Sequence, residues 1–305
     1  MEYVKQQILE FTDTNLVDTY PVWAEGTTYS FEATAPTSAS IVRYGAWYYR
    51  SVANGNVGNN PEDTEGTWWV KYGVSNKFAM LDLKAQSFST FDGDMTCTFT
   101  KGNINTLGFG NYTALSITVD ILDIDGITVL DTQTTSNTYY DHIEDWYTFT
   151  QVGEADIGDR ATRVKLPNIG SFIKVTFNIA SEFTYTSCGY MIGGEAVYMG
   201  DTIDGVNFSF ASYASKETDT WGNLNIVKRA VQDLVDFETI IDSNRASSFK
   251  RKVKSVYNDI IMFIVDDTDE SIFENILVLG VIQDAGVVFG NSEKTVLNFS
   301  VMESI

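Results

Sequence analysis

Aromatic side chains crowd one short stretch of the sequence, residues 20 to 72, where four of the chain's six Trp residues fall. Exposed flat rings of Trp and Tyr can stack on the apolar faces of sugars, where CH groups meet the π face. A unit of this length cannot hide so many large rings in one core, so some must face outward. The predicted carbohydrate-stacking residues are Trp23, Tyr29, Trp47, Tyr48, Trp68 and Trp69. Alternatively, these rings only fill a small core or contact a neighbouring subunit.

Catalytic groups are harder to find. The only histidine, His142, lies among Asp141, Glu144 and Asp145, which could orient its imidazole as a general base. No Ser or Cys nucleophile in a suitable context accompanies it, so a surface histidine is favoured. A glycosidase would need two facing carboxylates, and the 41 acidic residues do not single out a pair. The sequence has no phosphate-binding glycine loop and no metal-ligand cluster. We therefore expect neither an enzyme nor a cofactor.

One acidic cluster could suggest a calcium loop; it consists of Asp120, Asp123, Asp125 and Gly126. The EF-hand pattern, however, needs a carboxylate where Ile121 stands and a Glu where Thr132 stands. The segment between the flanking apolar runs instead has the pattern of a hairpin turn. We expect turn acids here and no metal.

The composition limits the partners. The 305 residues carry 20 Lys and Arg against 41 Asp and Glu, a formal net charge of -21. This charge repels phosphate backbones and anionic membrane surfaces, so we expect no nucleic-acid partner and no membrane insertion. The sequence shows no apolar run of about 18 residues and no signal-peptide pattern, which favours synthesis in a cytoplasm. Cys97 and Cys188 are far apart in sequence and are expected to be buried free thiols.

Hydrophobic periodicity predicts a mainly β, multidomain chain. We expect an N-terminal arm (1–19), a small aromatic-rich β module (20–82), a β-sandwich (83–200) and a C-terminal α+β domain (201–305). In the sandwich, Leu115, Ile117, Val119 and Ile121 alternate with polar residues. In the last domain, Ser243 can cap a helix. The apolar face of that helix would carry Phe249, Val253, Val256, Tyr257 and Ile260.

The aromatic module resembles the small chitin- and cellulose-binding modules. The resemblance rests on Trp23 followed by "GTTYS", "VRYGAWYYRSV" and "NPEDTEGTWW" in this order. It implies a carbohydrate-binding module. The sequence departs from the module's usual pattern at Phe31 and Glu32, where Gly and Asp are normal.

Two further segments resemble tail-associated virion proteins of tailed bacteriophages. The junction after the module carries Gly73, Asn76, Phe78, Ala79, Met80 and Asp82. The C-terminal segments carry Tyr213, Lys216, Asp219, Gly222, Asn223, Val227, Arg229 and the strand residues 279–284. The resemblance implies a structural protein of the tail tip or a fibre, made in the host cytoplasm and located in the virion. It also implies host attachment, with partners that are other copies of the chain, other tail proteins and a host glycan.

The basic run "KRKVK", residues 250 to 254, stands out from the acidic background. It lies on one amphipathic helix, so a solvated face is the plain interpretation. It could also form an ionic contact with an acidic patch on the next copy. Two other functions stay open: a soluble carbohydrate-binding protein or accessory part of a polysaccharide-degrading system, and a purely architectural tail component that binds no sugar.

Overall fold

The structure is a computed structural model that describes residues 1–7, 9–31, 41–136, 161–179, 183–203, 205–218, 221, 224–229, 231–266, 276–289 and 293–304. These residues fold mainly as antiparallel β-sheets with one α-helix near the C-terminal end. The predicted mainly β, multidomain fold class is therefore confirmed. No helix in these ranges is long and apolar enough to span a membrane.

Thirteen of the described strands lie between residues 2 and 194. They are β1 (Glu2–Lys5), β2 (Phe11–Thr14), β3 (Ile41–Tyr44), β4 (Trp47–Ser51), β5 (Trp69–Val74), β6 (Ser89–Phe91), β7 (Met95–Thr100), β8 (Thr106–Thr113), β9 (Ser116–Leu122), β10 (Val129–Ser136), β11 (Thr162–Lys165), β12 (Phe172–Asn178) and β13 (Thr186–Gly194). A 3-10 turn at Ala79–Leu81 follows β5.

The remaining elements form the C-terminal part. They are β14 (Ala196–Tyr198), β15 (Asp201–Thr202), β16 (Asn207–Ser212), β17 (Ser215–Thr218), β18 (Leu224–Val227), β19 (Val231–Asp242), helix α1 (Ala246–Val256), β20 (Ile261–Asp266), β21 (Ile276–Phe289) and β22 (Lys294–Glu303). A 3-10 turn at Ser243–Arg245 precedes α1.

The sandwich packs the five-stranded sheet β10-β9-β12-β7-β2 on the four-stranded sheet β11-β8-β13-β6. Alternation in β9 places Ile117, Val119 and Ile121 in its core, all fully buried, whereas Leu115 precedes the strand and is exposed. The predicted hairpin between β9 and β10 is confirmed. In its turn, the Asp125 carboxylate accepts hydrogen bonds from the backbone N–H groups of residues 127 and 128. The described residues contain no cluster of His, Cys, Asp and Glu suited to a metal ion.

Both cysteines lie in this core as free buried thiols, as predicted. Burial raises the pKa of Cys97 to about 12 and raises that of Cys188 well above its usual value. Thiolates are the reactive form, so neither side chain is suited to nucleophilic chemistry in the folded protein.

The C-terminal sheet has eight strands in the order β14-β1-β20-β21-β22-β19-β15, with β16 also paired to β19. Helix α1 buries Phe249 and Val256 against Phe237 and Phe299 of this sheet. The described residues include the predicted Ser243, but its side chain does not cap the helix. The Ser243 hydroxyl instead shares a hydrogen bond of 2.9 Å with that of Thr295, and the helix N-cap is Arg245.

Two strands within residues 1–19, predicted to be an arm, belong to two different sheets. Strand β1 lies between β14 and β20, with Tyr3 and Val4 buried, while β2 pairs with β7 at the edge of the sandwich. The physical reason is that the two short segments gain hydrogen-bonding partners and a core only from strands far along the chain. The N-terminal residues therefore connect the sandwich to the C-terminal sheet.

These two bodies also share an apolar interface. Its buried side chains are Val4, Tyr190, Ile192, Met262, Ile264, Leu277 and Leu279. Gly108 allows close approach here, because a Cβ at this position would lie 2.1 Å from the Met262 sulfur. The interface covers the β1-β20-β21 part of one face of the C-terminal sheet.

Candidate functional site

The aromatic module is built on the three-stranded sheet β3-β4-β5. A two-residue turn joins β3 to β4, and Gly45 adopts a φ of 59° there. Such tight turns favour glycine, because other residues are strained at positive φ. The turn places Tyr44 directly opposite Trp47 on the neighbouring strand, with both side chains on the same face of the sheet.

A third ring extends this pair. Residues 21–23 run beside β3, with the Trp23 N–H donating to the Arg43 carbonyl at 2.9 Å. The Trp23 and Tyr44 rings then meet edge to face, with centroids 5.8 Å apart and planes at 81°. We call Trp23, Tyr44 and Trp47 the aromatic strip. All three side chains are partly exposed and rest on the module core.

That core contains two of the predicted sugar-stacking residues. Trp69 is fully buried and Tyr29 is 3% exposed, with ring centroids 5.1 Å apart. The Trp69 indole N–H donates to the Asn59 carbonyl at 2.9 Å, and the Tyr29 hydroxyl accepts from the Ala24 N–H at 2.9 Å. Their prediction as sugar-stacking residues is corrected, because rings that fill a core cannot meet a ligand. Trp68 packs on the same core and stays partly exposed.

Polar groups border the aromatic strip. The Lys71 ammonium lies 5.1 Å from the Trp47 ring centroid and 3.3 Å from the Glu65 carboxylate. The Asn60 side-chain amide donates to the Tyr44 hydroxyl at 2.9 Å. Flat apolar rings beside a few hydrogen-bonding groups are what a sugar needs, because its ring faces are apolar and its edges carry hydroxyls.

The opposite face of the same sheet is covered by the chain segments that join the module to the sandwich. There the Tyr48 hydroxyl accepts from the Thr19 N–H at 3.0 Å and the Asn76 N–H at 3.3 Å, and it donates to the Asp18 carboxylate at 3.3 Å. The Arg43 Nε lies 2.9 Å from that carboxylate. We call Asp18, Arg43, Tyr48 and Asn76 the joint.

Asn76 connects the joint to the sandwich. Its side-chain amide donates to the carbonyls of Val17 and Thr90, each at 2.9 Å. Its side-chain oxygen accepts from the Thr90 N–H at 2.8 Å. One side chain therefore links the incoming segment, the outgoing segment and β6. These bonds attach the module to the sandwich.

Tyr48 is the third corrected residue. It was predicted to stack on sugars, but it is 6% exposed and belongs to the joint. Neighbouring residues of a strand point to opposite faces, so Trp47 and Tyr48 cannot share a surface. Of the six predicted residues, Trp23, Trp47 and Trp68 keep exposed area. The predicted set lacked Tyr44, Asn60 and Lys71; the tight turn at Gly45 is the signal that pairs Tyr44 with Trp47.

Three sequence features fall outside the described residues: His142, Glu32 of the altered first turn, and the segment residues Asp219, Gly222 and Asn223. Phe31 is described and is exposed, with the Arg50 guanidinium 5.3 Å from its ring centroid. In comparisons with known proteins, no protein-family model matches the chain, and no curated protein matches its sequence significantly.

Proposed function

We propose that this protein is a non-enzymatic structural component of a bacteriophage tail that self-assembles and presents the aromatic strip to a host glycan. The observation that carries the glycan part is the arrangement of Trp23, Tyr44 and Trp47 as a strip of partly exposed rings beside the module core. The assembly part rests on the resemblance of the junction and C-terminal segments to phage tail proteins.

The structure of the module favours a presenting role. The joint attaches the module to the sandwich through one face of the sheet, and the strip lies on the other face. A rigid presenting surface loses little conformational entropy when it binds a ligand. In the proposed complex, a sugar ring takes the place of Lys71 over the Trp47 indole. Lys71 and Glu65 are both exposed and can then hydrogen-bond to sugar hydroxyls.

Binding to insoluble chitin, cellulose and bacterial wall polysaccharide tests the glycan part. We expect the purified chain to be depleted from solution by one of these materials. Trp47→Ala and Trp23→Ala should weaken that binding at least tenfold, which corresponds to about 1.4 kcal/mol. The matched control is Tyr72→Ala, since Tyr72 is an exposed ring that contacts Tyr20 on the joint side.

If the chain binds none of these materials, or if the Trp47→Ala variant binds as well as the unchanged chain, the glycan part is wrong. The purely architectural alternative then applies. A monomer that binds one sugar class would instead favour the soluble carbohydrate-binding alternative, since it would retain the strip without the assembly.

A further inference from the structure

One face of the C-terminal sheet is only partly covered by the described structure. Helix α1 packs on the face that carries Val235, Phe237 and Phe299. On the other face, the sandwich covers the part formed by β1, β20 and the start of β21. The part formed by β16, β19, β22 and the end of β21 has no described element over it and forms a cleft of about 460 Å³.

This cleft is acidic. Its lining residues are Gly205, Asn207, Asp236, Phe237, Glu238, Asp284, Gly286, Asn298, Phe299 and Ser300. Ser300 on β22 pairs with Asp236 on β19 and with Asp284 on β21. The two acidic residues therefore lie on either side of Ser300. No Lys or Arg belongs to the lining as far as the structure describes it.

One acceptor in the cleft is unsatisfied. The Asn298 side-chain oxygen is buried and receives no hydrogen bond from any described group. A buried acceptor without a donor costs stability, and most such atoms in proteins have a partner. A group with several donors and no acceptor, such as an ammonium or guanidinium, would neutralise the carboxylates of the cleft and would bond to the Asn298 oxygen once that side chain turns towards it.

Helix α1 carries such groups on the outer side of the same sheet. Lys250, Arg251 and Lys254 are exposed, and within the described chain they form no ion pair. This is notable in a chain with a net charge of -21, where acidic partners are abundant. The helix therefore presents a basic surface that this copy does not neutralise.

We propose that the basic surface of α1 in one copy docks in the acidic cleft of the next copy. This inference rests on the self-assembly part of the proposed function and assigns a surface to it. Charge complementarity selects the second copy as the occupant, because the same chain carries both surfaces. An anionic surface such as nucleic acid or a lipid headgroup matches only the helix and is repelled by the rest of the molecule.

The positions of the two surfaces determine the kind of symmetry. Helix and cleft lie on opposite faces of one sheet, so a copy cannot dock its own helix in its own cleft. A two-fold contact built on the cleft alone would place carboxylates against carboxylates. A two-fold contact in which each helix enters the other copy's cleft is excluded, because helix and cleft point in opposite directions from the sheet. The contact is therefore head to tail, and such contacts close into rings or continue as filaments. The assembly should contain more than two copies and should weaken as salt screens the charges.

Light scattering on the purified full chain tests this contact. At low salt we expect a mass above that of a dimer. Reversing the helix charges (K250E, R251E and K254E together) should raise the concentration for half-assembly at least tenfold. Reversing the cleft charges (E238K with D284K) should do the same. Mixing the two variants in equal amounts should restore the large species, because each then offers the charge that the other lacks.

The matched control reverses two other exposed basic residues, K84E with K228E, which lie outside the helix. Assembly should be unchanged in this variant, and equal dissociation would overturn the proposal by showing a general charge effect. Circular dichroism checks that each variant is folded. If a charge-reversed variant is not, the neutral set K250Q, R251Q and K254Q replaces it, and loss of the salt dependence is the expected result.

The outcomes separate the two proposals. A chain that stays monomeric at all concentrations and salt levels overturns both this contact and the self-assembly part of the proposed function. A chain that assembles, but whose mass does not respond to charge reversal or to mixing, overturns only this contact. In that case another surface carries the assembly, and the exposed Phe210 on the edge strand β16 is the next residue to replace.

Discussion

The two faces of the β3-β4-β5 sheet hold similar side chains in different environments. On one face, the Trp47 ring keeps exposed area and is bordered by Lys71. On the other, the Tyr48 ring packs edge to face with Tyr20 at 4.9 Å, and its hydroxyl makes three hydrogen bonds in the joint. The two residues are neighbours in one strand, so the difference arises from what covers each face.

This comparison shows how a small module can keep exposed rings on one face of its sheet and use the other face for attachment. The core of the module is too small to bury all of its rings, so the others either face solvent or pack against the connecting segments. A ring that is exposed within the module becomes buried when the connecting segments return over it. Local aromatic density therefore identifies the module but does not identify the ligand-facing residues.

The largest expected effect comes from replacing Trp69 in the module core, on which the aromatic strip packs. Trp69→Ala replaces a fully buried side chain and should lower the free energy of unfolding of the module by about 3–5 kcal/mol. Because the sandwich has its own core, urea unfolding followed by far-UV circular dichroism should show a separate early transition. A single unshifted transition would show that Trp69 does not support the module.

A smaller effect is expected from the other face. Tyr48→Phe keeps the ring but removes the hydroxyl, which leaves the N–H groups of Thr19 and Asn76 without this acceptor. We expect a loss of about 1–3 kcal/mol. Limited proteolysis should also cut the connecting segments faster. Trp47→Phe is the control on the strip face; if it accelerates cleavage as much as Tyr48→Phe, the assignment of the joint is wrong.

Protein stability should depend on pH through Asp82, which follows the 3-10 turn on the sandwich side of the joint. Burial raises the pKa of Asp82 above its ordinary value of 3.8, and this effect outweighs the lowering by hydrogen bonds from the Lys84 N–H and the Ser87 side chain. Because the folded-state pKa is raised, protonation of Asp82 contributes to the stability of the folded state. This contribution is complete below pH 3.8 and is lost as the pH rises through the folded-state pKa.

Asp82→Asn should therefore stabilise the protein at pH 7, by less than Tyr48→Phe destabilises it, and this gain should shrink as the pH falls towards 4. Asparagine keeps an oxygen that can accept from the Lys84 N–H, as Asp82 does at 3.0 Å. Urea midpoints of the variant and the unchanged chain at both pH values give the comparison. A gain that does not depend on pH would contradict the role of the buried carboxylate.

The smallest effect should come from uncovering the Trp47 ring. Lys71→Ala removes an exposed cation–π contact and an exposed ion pair, each worth about 0.2–1 kcal/mol. Acrylamide should quench the module's Trp fluorescence more strongly, with little change in stability. Lys77→Ala, outside the strip, is the control. Unchanged quenching would mean that Lys71 does not shield the ring.

Periodicity predicted those parts of the fold whose signal is local. The alternation of Ile117, Val119 and Ile121 and the helical spacing of Phe249 and Val256 are confirmed, because each pattern describes one element that packs on one core. Strand β1 could not be predicted in this way. Its four residues carry too little pattern, and its place depends on β14 and β20.

The candidate site was predictable only in part for the same reason. Alternation indicates that Trp47 and Tyr48 point to opposite faces, but the segments that cover Tyr48 come from Asp18 and Asn76, outside the module's strands. The acidic cleft depends on a register shift between Ile282 and Asp284, which turns Asp284 towards Ser300. Such a shift leaves no clear mark in the hydrophobic pattern.

The position of β1 also affects how the chain can fold during synthesis. Tyr3 leaves the ribosome long before its strand partner Phe263, which follows far along the chain. At about 5–20 residues per second, β1 waits roughly 10–50 s before that partner exists. In the meantime Tyr3 and Val4 are unprotected, and the sandwich beside them lacks part of its apolar interface. The C-terminal sheet and its interface with the sandwich are thus completed only after the strand that contains Phe263 has been made.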